Sequence, residues 1–120
     1  MSQMESSRHF RLEQLVEGVY AAIAIEGGAA FSNAGIIDLG DQTLIFDTCE
    51  TATAAYDLRA AAEQLTGRPA TCAINSHAHP DHWGGNQVFD TPILATRTTR
   101  EQMRAFAHYL EELKRNPRAV

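Results

Sequence analysis

The chain has 120 residues, 44% of them hydrophobic and 21% charged, which suffices for one domain with one core and is too few for two. With 15 acidic and 10 basic residues the formal charge is -5, which argues against a broad electrostatic grip on nucleic acid. No apolar run is long enough to span a bilayer and residues 1–8 lack the apolar core of a signal peptide, so no membrane partner is expected and the cytoplasm is the expected compartment.

Residues 1–9 read as a disordered tail ahead of a domain at residues 10–120. Phe10 and Leu12 alternate with polar residues and Leu15 follows after a slip, which predicts a half-buried strand over 10–15 that Gly18 breaks. A second strand is predicted over 19–25, ended by the loop Gly27-Gly28-Ala29-Ala30. Strands over 33–39 and 42–46 flank the tight-turn pair Gly40-Asp41, so the chain opens as antiparallel β-structure. Then the period changes. Ala54, Ala55, Leu58, Ala61, Ala62 and Leu65 recur at helical spacing, which predicts an amphipathic helix over 51–66, stopped by Gly67 and Pro69.

The apolar stretch 70–75 reads as a buried strand, and strand-helix-strand in this order implies a right-handed crossover and a parallel pair. A short helix over 84–89, a short strand over 92–95 and a last helix over 98–114 complete the chain. That last helix has Met103, Phe106, Ala107, Leu110 and Leu113 on its inner face and His108 among charged residues on the other. His9 and His108 are read as uninvolved in any site. Cys49 and Cys72 form neither a CxxC pair nor a disulfide framework and read as free thiols, a ligand role for Cys49 being the lesser alternative.

Residues 77–82, His-Ala-His-Pro-Asp-His, hold three of the five histidines with an aspartate among them, followed by Trp83-Gly84-Gly85. Imidazole nitrogen and carboxylate oxygen suit zinc, and also iron or manganese. In extended backbone His77, His79 and Asp81 point to one side and His82 to the other. Pro80 restricts its own backbone and that of His79, so a bend there brings His82 back. The bent loop can then serve two ions, His77 with His79 and Asp81 with His82, that share a bridging hydroxide. The topology puts this loop and Asp47 at the C-terminal ends of neighbouring strands, where open α/β sheets bind ligands.

His-x-His-x-Asp-His followed by Gly-Gly resembles the signature of the metallo-β-lactamase-fold superfamily of metallohydrolases. Residues 33–47, a strand, a Gly-Asp turn and a strand ending in Asp47, are similar to the region before that family's first helix. The resemblance implies an α/β (α+β) fold, the N-terminal half of an αβ/βα sandwich, with a mixed sheet and helices on one face. It implies His77 and His79 as ligands of a first zinc and Asp81 and His82 as ligands of a second. Asp81 would also orient the attacking hydroxide, and Asp47 would support the metal loop from behind. Gly84 and Gly85 would let the next segment pack close to the site, with Trp83 a wall of it or part of the core.

The activity implied is hydrolysis of an ester, thioester, lactone or amide in a small-molecule substrate. Family members are built from two β-plus-α halves, and the remaining ligands come from the second. Residues 10–120 therefore correspond to a partial domain. Three readings follow: part of a longer hydrolase, a half completed by a partner chain or a homodimer, or a non-catalytic binding module.

Overall fold

The computed structural model describes residues 7–116. Six strands form one mixed sheet in chain order, β1-β2-β3-β4-β5-β6. β1 (Phe10–Val16) and β2 (Val19–Ala24) pair antiparallel, and the register shifts between Gln14 and Val16, where the sequence alternation slips. The turn between them uses Gly18 at φ 78°, where an added Cβ would stand 2.8 Å from the Asp38 carbonyl oxygen. β3 (Ala34–Asp38) pairs antiparallel with β2 and with β4 (Thr43–Phe46). The turn between β3 and β4 is tied at its base by Arg68, whose guanidinium donates to Asp38 at 2.6 Å and holds that carboxyl below its ordinary range.

Helix α1 (Ala52–Thr66) starts where Thr51 Oγ1 accepts the Ala54 N–H, and ends where Gly67 adopts φ 75° and donates to the Glu63 carbonyl. The crossover leads to β5 (Cys72–Ile74), parallel to β4, and β6 (Ile93–Leu94) extends the sheet parallel to β5. Between them lie two single 3-10 turns, Pro80–His82 and Asn86–Val88, the second in place of the expected short helix over 84–89. A last helix, α2 (Arg97–Arg115), is capped by Thr96.

The core lies between α1 and one face of the sheet. Ala54, Ala55, Leu58, Ala61 and Ala62 of the helix are buried with Phe10, Ala22, Ala34, Ile36, Ile45 and Ala73 of the strands. So many alanines let helix and sheet approach closely, and each apolar side chain buried contributes through the area it takes out of water. The other face is barely covered: Phe46 and Leu94 are exposed, and Ile37 and Leu44 only half-buried.

Two expectations change. The inner face assigned to α2 is mostly not buried: Met103, Phe106 and Leu113 are half-buried, and Ala107 and Leu110 are exposed, because among the described residues no second layer covers this face beyond the contact of Phe106 with Trp83. Of the tail expected over residues 1–9, residues 1–6 lie outside the described residues, and the rest is hydrogen-bonded to the chain. Ser7 Oγ accepts the His9 and Phe10 N–H groups, and buried His9 takes the Ala29 N–H on Nδ1 at 3.0 Å.

Candidate metal centre

The end of β4 and the end of β5 are adjacent because the strands are parallel, and Asp47 N–H still donates to the Ile74 carbonyl at 2.8 Å. At Asp47 the chain turns sharply through the left-handed region, φ 64°, a conformation aspartate tolerates better than most residues. This keeps its carboxylate at the site, 2% exposed. Oδ1 accepts the Ser76 N–H at 2.7 Å, and Oδ2 lies 2.7 Å from both Ser76 Oγ and His82 Nδ1. Ser76 Oγ lies in turn 2.7 Å from His77 Nδ1.

Pro80 opens the 3-10 turn over Pro80–His82, which carries His82 back toward His77, their ring centroids 4.1 Å apart. His79, exposed, stands edge-on to His77 at 4.7 Å. Asp81 Oδ2 lies 3.6 Å from His82 Nε2, and the Asp81 carbonyl is held by the Ser32 hydroxyl. Thus His77, His79, Asp81 and His82 share one loop, and the tightest convergence is of Asp47, His77 and His82. Each of those three offers a ligand atom, all within 4.8 Å of one another. Two imidazoles and a carboxylate are a donor set that fits zinc. Since both Asp47 oxygens are engaged by Ser76 and His82, the carboxylate is better suited to orienting ligands than to being one.

The loop is bolted to the chain after β4. Thr48 N–H donates to the His82 carbonyl, and Gly85 N–H to that of Cys49. A Cβ on Gly84 would stand 1.8 Å from the Glu50 carbonyl oxygen, and one on Gly85 2.1 Å from that of Thr48 and 2.4 Å from Ala55 Cβ. Glycine is required at both positions by this approach of backbones. Behind them Asn75 and Asn86 exchange side-chain hydrogen bonds at 2.8 and 3.0 Å, and Thr48 Oγ1 donates to Asn86.

Trp83 Nε1 donates to the Ala78 carbonyl and its ring meets Phe106, so it braces the loop. Cys49 is buried, and desolvation with the Asp47 charge pushes its thiol up to about 12, opposing the thiolate a metal would need. His108 stays exposed beside Glu112, and His9 is spent on Ala29, so neither joins the cluster.

The profile of the metallo-beta-lactamase superfamily matches residues 27–96, more than half of the chain. The chain belongs to the metallo-β-lactamase superfamily. Solved structures agree on the fold. A metallo-β-lactamase from Erythrobacter litoralis, with β-mercaptoethanol in its active site, superposes at a TM-score of 0.74 with 22% identity, over 88% of this chain and 49% of that one. One from Hirschia baltica gives 0.73 and 21% identity, over 83% and 49%. One from Pseudomonas aeruginosa, in its mono-zinc form, gives 0.68 and 16%, over 88% and 50%. This superfamily member therefore spans about half the length of the solved structures it matches.

Ser76, Ser32 and the Asn75–Asn86 pair were not legible as parts of the centre. The one signal for Ser76 was its place directly before His77, between the motif and the strand that delivers it.

Proposed function

We propose that this chain carries the metal-binding half of a zinc-dependent hydrolase acting on an ester, thioester, lactone or amide bond of a small molecule. The observation that supports it is the meeting of His77, His82 and Asp47 at the C-terminal edge of β4 and β5, with His79 and Asp81 on the same loop. His77 and His79 would serve one ion and Asp81 and His82 a second; iron or manganese would suit the same donors. When bound, the metal supplies Lewis acidity and lowers the pKa of water toward neutrality. The chain's own residues do the rest. Asp81 orients the attacking oxygen with its carboxylate, and Asp47 holds His82 while Ser76 and Thr48 fix the two loop ends. The free thiols of Cys49 and Cys72 suit a reducing compartment, and we place the protein in the cytoplasm.

A catalytic zinc usually keeps three protein ligands, and each ion would find two here. The missing ligands are proposed to come from sequence beyond these residues, from a complementing half, or from a second copy of the chain. The exposed sheet face favours a second reading, in which the chain is an inactive half-domain that binds a partner through that face. Zinc stoichiometry, native mass and hydrolysis of an ester and thioester panel test both. In the assembled enzyme, His79→Ala or Asp81→Ala should abolish turnover. Full turnover by either variant at unchanged metal content would refute the hydrolase reading, and a zinc-loaded, hydrolytic dimer would refute the second.

A further inference from the structure

The Asp47 carboxylate meets one histidine directly and the other through a hydroxyl. His82 Nδ1 lies 2.7 Å from Asp47 Oδ2, and Ser76 Oγ sits 2.7 Å from the same oxygen and 2.7 Å from His77 Nδ1. A carboxylate only accepts, and a serine hydroxyl has one proton and lone pairs to offer. If that proton went to His77, two lone-pair oxygens, Oγ and Oδ2, would face each other at hydrogen-bond distance with nothing between them. The proton must therefore lie toward Asp47, the stronger, charged acceptor. The hydroxyl then presents a lone pair to His77, so His77 Nδ1 must be the donor. His82 Nδ1, facing the carboxylate, is a donor by the same count.

We propose that Ser76 is a positioning residue that relays the Asp47 carboxylate to His77 and fixes it as the Nδ1–H tautomer. Both His77 and His82 then present Nε2 with its lone pair, as two imidazoles must to ligate through that nitrogen. One carboxylate thus sets two ligands: His82 by contact and His77 at one remove. The relevance to metal rests on the function proposed above; the proton assignment does not, because it follows from the hydrogen bonds among Asp47, Ser76, His77 and His82 alone.

The decisive experiment is long-range 1H–15N NMR of the chain prepared without metal, recorded on the neutral imidazoles at alkaline pH. Both His77 and His82 should show the proton on Nδ1. In Ser76→Ala, His77 should shift toward the Nε2–H form that unpartnered imidazole prefers, while His82 keeps its proton on Nδ1 and reports that Asp47 has not moved. Ser76 is an exposed residue, so the truncation opens no cavity. Ser76→Thr, which keeps the hydroxyl, should restore His77. A wild-type His77 protonated on Nε2, or a Ser76→Ala spectrum unchanged at His77, overturns the assignment. So does a loss at both histidines that threonine fails to restore.

Zinc titration then reads the consequence: Ser76→Ala should weaken binding roughly 10- to 100-fold, with recovery in Ser76→Thr. A shifted tautomer with unchanged zinc affinity would overturn the positioning role. A wild-type chain that holds no zinc would instead fail the proposed function and leave the tautomer result standing.

Discussion

The two long helices carry similar apolar stripes and have opposite fates. α1 (Ala52–Thr66) buries five residues against the sheet and holds the chain that leads into the loop of His77 to His82. α2 (Arg97–Arg115) is longer and its apolar face is more sharply set off from its charges, yet only Thr99 at its start is buried. The difference lies in the partner and not in the pattern: α1 returns across a sheet face built by the strands before and after it, and nothing in these residues supplies such a face for α2. Amphipathicity states what a helix can bury; topology decides whether it does.

Changes on the α1 side should therefore be costly and those on α2 nearly silent. Gly85→Ala drives a methyl into the Thr48 carbonyl and Ala55 of α1, neither of which can swing away, and should cost at least the upper end of the usual overpacking range, about 3 kcal/mol, in a denaturant titration. Leu58→Ala, in the middle of the α1 face, should cost about 2–5 kcal/mol by the same measurement. A result near zero would mean that α1 is no better packed than α2.

Cys49, in the segment just before α1, gives a pH handle. Its folded pKa is raised from 9.0 to about 12, so the folded chain holds the proton more tightly than the unfolded one. That stability is fully present below 9.0 and is lost as pH rises from there toward 12, and Cys49→Ala should flatten this part of the curve. Smallest of all, Leu110→Ser on the exposed face of α2 should change stability by less than about 0.5 kcal/mol. A loss of several times that would show that α2 is covered in solution, and would sharpen the comparison into a question of what covers it.

Much of the fold was legible because its signals are local. Glycines and period changes marked each strand to within a residue or two, Thr51 and Gly67 delimited α1, and Asp47 was placed beside the motif by the crossover alone. The motif named the side chains that gather in the loop, and Pro80 the bend that returns His82. What stayed hidden depends on contacts between residues far apart in sequence. His9 looked like part of a loose tail because nothing nearby in sequence announces the Ala29 N–H that it accepts. Ser76 looked like a small flanking residue, since its role needs Asp47, 29 positions earlier, at 2.7 Å. The exposure of α2 was illegible for the opposite reason: its pattern promised a partner that these residues do not include.

The unbroken strand order has a consequence for how the molecule is made. Because β1 to β6 sit side by side in the order they are synthesised, each strand emerging from the ribosome meets an edge that is already there. No strand has to wait for a later one to be inserted between itself and its neighbour. The end of β4, with Asp47 in place, is laid down before Ser76, His77 and His82 arrive to close on it. The loop of His77 to His82 is thus fitted to strands β1 to β5 that are already laid down, before β6 is added at the edge of β5.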